Sequence, residues 1–210
     1  MNGYSEASTA SRPTKVPHEM DNKMPKPNGN DEYNIIEHVH RFAAWAASRA
    51  AMAARIQGFT VQQGNAIIKA AELPSLLGGP DKLPKIEDMD AKHKEWRIKV
   101  KREAKRKGLD FSHGVAAKLI NVYLKAGLVT VANCNNARIG ALHPPIDSVL
   151  LEKLESCETD PDREESWTET PWSKLSSKKY EALICRIRGK LGNDQPLWAI
   201  EKYWVGHRAP

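Results

Sequence analysis

The chain has 210 residues, 40 % hydrophobic and 28 % charged, with a formal net charge of +6, a composition typical of one globular domain with an extension. No apolar run approaches the roughly 20 residues that a membrane-spanning helix needs, and the N-terminus shows no secretory signal. Three widely spaced cysteines argue against a disulfide framework, and the only close histidine pair, His38-x-His40, has no third ligand nearby, which argues against a metal site. We therefore expect a reduced, cytoplasmic, monomeric protein without a cofactor.

The first third of the chain predicts a tail followed by two helices. Residues 1–31 are mostly polar and contain four prolines, so we expect them to be disordered and the helical domain to cover 32–210. Apolar residues recur at helical spacing over 34–56. Thr60, three positions before a glutamine, forms a capping-box pattern and predicts a second helix over 61–72.

A third helix is predicted over 88–107, and its stretch 92–107 holds nine Lys/Arg against two Glu. A basic helix of this density attracts phosphates. We expect the following side chains to contact nucleic acid: Trp96, Lys99, Arg102, Lys105 and Arg106. A solvated helix face is the alternative interpretation. A turn at 109–114 and a fourth helix over 115–126 would complete a helix–hairpin–helix unit.

Residues 127–142 are ambiguous in an otherwise all-α chain. Leu128-Val-Thr-Val-Ala132 has the composition of a short strand, and 138–142 is a possible partner, so a small β-hairpin at 127–142 is predicted. After two prolines, Asp147 predicts the start of a helix over 148–156.

The C-terminal third predicts an acidic loop and two helices. Residues 152–169 hold eight acids against two bases, and 158–170 is expected to be a loop. Ser176 should cap a helix over 177–189, and Asn193 or Asp194 one over 195–204. The apolar face of that last helix would contain Leu197, Ile200 and Trp204.

Two segments are similar to one enzyme family. Gly114-Val-Ala-Ala-Lys-Leu-Ile-Asn-Val-Tyr-Leu124 resembles the hairpin and following helix of the helix-hairpin-helix DNA glycosylases, the endonuclease III and adenine-mismatch superfamily. His143-Pro-Pro-Ile-Asp-Ser-Val-Leu-Leu151 is similar to that superfamily's Pro-hydrophobic-hydrophobic-Asp stretch. The resemblance covers about residues 108–152 and implies an all-α, glycosylase-like helical domain. The interval between the lysine and the aspartate is longer than the family norm, and the four-cysteine iron–sulfur motif of some members is absent.

The resemblance also implies residue roles. Lys118 corresponds to the lyase lysine and Asp147 to the catalytic aspartate. The backbone at Gly114 and Ala116 would present N–H groups to a DNA phosphate, although Ala116 stands where the family has a second glycine. His113 and His143 flank the implied pocket and would contact phosphate or base.

The implied function is removal of a damaged or modified base from duplex DNA, in repair or phage defence, with or without Schiff-base lyase activity. Two alternatives stay open, because Asp147 could act only as a helix cap, and Lys118 could belong to a solvent-exposed polar face of its helix. One is a non-catalytic nucleic-acid-binding protein on a degenerate scaffold. The other is a protein-interaction factor in which 92–107 and 152–169 pair with each other or with a partner.

Overall fold

The computed structural model describes residues 33–131, 136–159, 165–192 and 194–206, and every regular element in these ranges is helical. The α-helices are α1 (Ile35–Ala51), α2 (Val61–Ala70), α3 (Met89–Arg106), α4 (His113–Leu124), α5 (Ala137–Gly140), α6 (Ser148–Ser156) and α7 (Ser177–Leu191). Single 3-10 turns and short 3-10 helices connect them, including Leu73–Gly78, Trp172–Lys174 and Leu197–Tyr203. The predicted all-α class is confirmed, and the predicted disordered segment 1–31 lies outside the described residues.

Local signals fix where several helices begin. The capping box of α2 is confirmed, because Thr60 Oγ1 accepts from the Gln63 amide at 3.2 Å and Gln63 Oε1 accepts from the Thr60 amide at 3.0 Å. Asp147 and Ser176 cap α6 and α7 as predicted, accepting from backbone amides at 2.9 Å and 3.3 Å. Ser112 caps α4 in the same way and starts it two residues earlier than predicted.

The central element is α4, which is apolar around nearly its whole circumference and buried among α1, α3 and α7. Its two buried polar side chains, Lys118 and Asn121, must therefore find partners inside the protein. Helix α1 approaches α4 closely because its inner face carries small, fully buried residues: Ala43, Ala44, Ala47 and Ala51. This close approach places α1 beside the Lys118 side of α4.

The predicted β-hairpin at 127–142 is wrong in the described part of the chain. Instead of leaving as a strand, α4 continues into one π-helical turn, Lys125–Val129, closed by the Thr130 amide donating to the Lys125 carbonyl at 3.0 Å. The turn packs against the Leu73–Gly78 segment, where a Cβ on Gly127 would lie 2.4 Å from a Leu77 methyl, so a larger residue would require the Leu77 side chain to move. Residues 137–140 form α5, and 132–135 lie outside the described residues.

Two helix boundaries also differ from the prediction. The first helix ends at Ala51 rather than 56, because Met52–Ala54 tightens into a 3-10 turn and Arg55 adopts a left-handed backbone with φ of 54°. The last helix is a 3-10 helix, Leu197–Tyr203, that begins after Pro196 without a side-chain cap, and not an α-helix over 195–204. In the predicted acidic loop, 158–159 and 165–170 carry no helix, and 160–164 lie outside the described residues.

Candidate active site

Lys118 and Asp147 meet in the structure. The Lys118 Nζ lies 2.8 Å from the Asp147 Oδ2, although 29 residues separate them in the chain. The Lys118 side chain is only 6 % exposed and that of Asp147 is 22 % exposed, so the amine is the deeper member of the pair. The two residues implied by the family resemblance therefore form one buried-to-surface ion pair.

Asp147 is held by three donors in a fixed orientation. Its Oδ1 caps α6 by accepting from the Leu150 amide at 2.9 Å. Its Oδ2 accepts from Lys118 and also from the Trp204 indole Nε1–H at 3.1 Å. Two prolines precede it and keep the chain extended up to the cap, so the carboxylate enters the site from a rigid segment.

The pair lines an open cavity of about 390 Å³ between α1, α4 and the C-terminal 3-10 helix. Most of the lining is apolar, with Phe42 and Ala50 of α1 on one side and Val122 of α4 on another. Trp204 adds an indole to the wall. A cavity of this size, mostly apolar with a few converging polar groups, is the usual form of a small-molecule or base-binding pocket.

A second ion pair lies in the same cavity. Lys125, two turns after Lys118 on the continuation of α4, hydrogen-bonds to Glu201 of the C-terminal 3-10 helix. Burial lowers the pKa of the Lys118 amine, and Lys125 adds to this, while Asp147 and Glu201 oppose it by favouring the ammonium form. The Lys118 Nζ also lies 5.6 Å from the centroid of the Trp172 ring. The site therefore holds an amine that is displaced toward its neutral form beside a carboxylate.

The predicted phosphate-binding hairpin is closed, which corrects the roles given to Gly114 and Ala116. Both residues are buried, and the Gly114 amide already donates to the Leu175 carbonyl at 3.3 Å. A Cβ on Gly114 would lie 1.7 Å from the Trp172 carbonyl oxygen, so glycine is needed here for chain packing. The Ala116 amide donates to the Ser112 carbonyl, and neither backbone is free to bind a phosphate.

The basic helix is neutralised only in part, because its paired cations share four carboxylates, of which only Glu72 and Glu181 come from outside the helix. Of its nine Lys/Arg, six pair with carboxylates in the described residues: Lys92, Lys94, Arg97, Lys99, Arg102 and Arg106. Lys99 pairs with Glu72, and both Arg102 and Arg106 pair with the same buried Glu103. Lys105 is exposed, and Trp96 is half-buried against the core. This helix offers a weaker positive surface than its sequence indicates.

The predicted role of His143 at the site is also corrected, because its side chain does not line the cavity and belongs to a buried polar network with α3 and α7. It lies 3.1 Å from the Tyr180 hydroxyl and 2.8 Å from Asp90, and its ring stacks on His93. Asn121 connects this network to α4 by donating to the Tyr180 hydroxyl at 3.0 Å. These contacts stabilise the packing of α3, α4 and α7.

His113 begins α4 at a distance from the cavity and is half-buried beside Arg97, 3.4 Å away. Burial, with help from nearby cations, lowers its pKa to about 4. It is neutral at physiological pH and therefore offers a phosphate a hydrogen bond but no charge.

A larger groove of about 780 Å³ is a weaker candidate site. Two of its charged residues, Asp90 and Arg188, already form a two-bond ion pair with both distances 2.6 Å. In the described part of the chain no cluster of histidine, cysteine or acidic residues fits a metal ion, and no helix is long and apolar enough to cross a membrane.

The sequence did not identify several residues of the cavity wall as part of the site, among them Phe42, Lys125, Glu201 and Trp204. Trp204 was expected on an apolar face and instead donates to Asp147 across 57 positions. No local motif marks such a contact. Comparison with protein-family models, with curated proteins and with solved structures found no match, so function is inferred here from the chemistry of the site.

Proposed function

We propose that this protein excises a damaged or modified base from DNA, with Lys118 and Asp147 as its catalytic pair. The observation that carries the proposal is the 2.8 Å contact between the Lys118 amine and the Asp147 carboxylate in the wall of an apolar cavity. It agrees with the glycosylase resemblance, which joins these residues from two separate segments. An aspartate that acted only as a helix cap would not need a partner such as Lys118, whose side chain is nearly buried and lines the cavity.

The cavity suits a base rotated out of a duplex. A base inside the stack is out of reach, and extrusion costs a few kcal/mol that a pocket must offset. The apolar wall at Phe42 and the Trp204 indole offer flat surfaces against which an extruded base packs. The sugar of the extruded nucleotide would lie against two of the polar groups in the lining, Lys118 and Asp147.

The ion pair supports a nucleophilic step. Transfer of one proton across the 2.8 Å contact turns the ammonium of Lys118 into an amine and the carboxylate of Asp147 into an acid. The amine lone pair then bonds to sugar C1′ while the glycosidic bond breaks and its electron pair leaves with the base. Asp147 returns its proton to the departing base and, as a carboxylate again, stabilises the positive charge that develops on the sugar. Opening of the sugar ring, with the proton from the attached nitrogen moving to the ring oxygen, gives the Schiff base.

A panel of duplexes, each with one modified or damaged base, tests the proposal by strand cleavage in alkali after incubation. Wild type should create abasic sites in at least one duplex. Asp147→Asn should lose roughly 100-fold or more of that activity at a temperature where it is still folded. Glu152→Gln, which removes an exposed carboxylate from the same helix α6, is the matched control and should keep full activity.

Two results would contradict the proposal. One is the absence of abasic sites with every duplex of the panel. The other is an Asp147→Asn variant that cleaves as well as wild type, which would leave Asp147 as a helix cap only.

A further inference from the structure

The outward face of α1 carries an unusual set of exposed side chains. Ile35, His38, Phe42, Trp45 and Arg49 follow one another at spacings of three and four and are all exposed, which puts them in one stripe along the helix. Phe42 is 57 % exposed and Trp45 is 52 % exposed. The solvent face of a surface helix is normally charged or polar, so two neighbouring aromatic rings in water indicate a surface that meets a ligand.

The stripe is continuous with the cavity that contains Lys118. Phe42 is both exposed and part of the cavity wall, and its ring centroid lies 5.9 Å from that of Trp45 with the planes tilted by 35°. A chain-like ligand that leaves the cavity over Phe42 would therefore reach Trp45 next and Arg49 one turn later. The stripe is a single row of side chains along α1. It therefore suits an extended chain, such as a nucleic-acid strand, better than the broad surface of a globular protein.

One cation of the stripe, Arg49, forms no ion pair within the described residues and favours an anionic ligand. Arg41 is exposed and lies with its guanidinium 4.7 Å from the Tyr33 ring centroid, and Arg49 is exposed near the end of α1. The only acid in α1 is Glu37, which pairs with Arg41 at 2.7 Å. Aromatic rings with interspersed cations are the composition of surfaces that bind single-stranded nucleic acid.

We infer that Trp45 and Arg49, next to Phe42 of the cavity wall, bind the nucleotide adjacent to the one held in the cavity, on a stretch of the substrate strand that has lost its pairing there. The base in the cavity packs against Phe42, the next base stacks on Trp45, and a backbone phosphate lies at Arg49. This inference rests on the proposed function only in taking the cavity occupant to be a nucleotide. It assigns the nucleic-acid surface to α1, whereas the sequence indicates the basic helix α3.

Binding of an undamaged, dye-labelled single-stranded 12-mer to the full-length chain tests the inference without requiring excision. Phe42→Ala and Trp45→Ala should each weaken binding roughly 5- to 100-fold, the effect of losing one base–aromatic stack. Arg49→Gln should lower the slope of log affinity against log salt by about 0.7, the contribution of one phosphate contact on a single strand. Ile98→Ala removes an equally exposed apolar side chain from α3 and should bind as wild type does.

Tryptophan fluorescence gives a second readout, because Trp45 is exposed whereas Trp167 and Trp172 are buried. The 12-mer should quench wild-type fluorescence and protect it from iodide, and Trp45→Phe should reduce both effects, leaving the part due to Trp204 in the cavity wall. Wild-type affinity in Trp45→Ala, or no binding by wild type, overturns the inference. A wild-type dimer that Trp45→Ala converts to a monomer with unchanged binding also overturns it and assigns the stripe to self-association.

The two proposals fail separately. If no base is excised but strand binding depends on Trp45, the stripe stands and base excision falls. If bases are excised equally well by Trp45→Ala, with unchanged strand binding, base excision stands and the stripe falls.

Discussion

Asp147→Asn and Lys118→Met remove opposite halves of one ion pair, and we expect them to differ in their effect on stability. The Lys118 ammonium is nearly buried, so loss of its carboxylate leaves a charge without compensation, a change that costs about 3–5 kcal/mol in such sites. Asparagine has one oxygen where aspartate uses two. It can keep either the cap to the Leu150 amide or the bond from Lys118, and losing the cap costs about 1 kcal/mol.

Lys118→Met has a smaller expected cost, about 1 kcal/mol, because Asp147 keeps two donors and some contact with water. Methionine is unbranched and fills a similar space. The double variant should be more stable than Asp147→Asn alone, since it no longer contains an unpaired buried ammonium. Urea unfolding at pH 7 and constant salt measures all four free energies of unfolding.

The same comparison has a pH dependence. Burial already lowers the pKa of Lys118, and removing Asp147 takes away the main influence that raises it. Between this lowered folded-state pKa and the ordinary lysine value, the unfolded chain binds more protons, so the free energy of unfolding rises with pH. This window is wider in Asp147→Asn, and its stability deficit should therefore shrink from pH 7 to pH 9.5. Equal costs for the two single variants, additive costs in the double variant, or a deficit that grows with pH would refute this reasoning.

Three further predictions concern the scaffold. Gly114→Ala should destabilise the protein by roughly 3 kcal/mol or more in urea unfolding, because the added Cβ meets the backbone of Trp172. Gly189→Ala, in open space on α7, should stabilise it by about 0.5–1 kcal/mol. Equal effects of the two substitutions would contradict the close packing of α4 against Trp172. Tyr180→Phe should cost about 1–3 kcal/mol by leaving the buried Asn121 amide and the buried His143 Nδ1 without their partner, and a neutral result would remove the network from the account. The melting temperature should fall as pH is lowered from 6.5 toward 4. Burial lowers the pKa of four histidines in the folded protein, so the unfolded chain binds protons at a higher pH than the folded one does. A flat profile would contradict the environments of these histidines: His40, His93, His113 and His143.

Local chemistry in the sequence was enough to predict most helix starts. The Thr60 capping box and the caps at Asp147 and Ser176 are signals contained within four residues, and each begins a helix where expected. The meeting of Lys118 with Asp147 was implied by resemblance to a family rather than by local pattern.

The errors arise where packing between distant segments decides the structure. Leu128-Val-Thr-Val-Ala132 has the composition of a strand, yet Leu128 is buried because the turn after α4 stays helical and packs near Leu77. Gly114 looks like a phosphate-binding glycine, but it admits the backbone of Trp172. Trp204 donates to Asp147 across 57 positions of the chain, a contact that depends on the tertiary fold and that the spacing of apolar residues does not predict.

Borohydride trapping tests the central claim most directly. We incubate the wild-type protein and the variants Lys118→Arg and Lys125→Arg with DNA that carries either an abasic site or one modified base. The mixture is then reduced with borohydride, and mass spectrometry locates the lysine that carries the adduct. The account predicts a covalent adduct on Lys118 that Lys118→Arg abolishes and Lys125→Arg retains, with both variants folded. An adduct on another lysine that persists in Lys118→Arg, or no adduct with any substrate, would contradict the role of Lys118 as nucleophile.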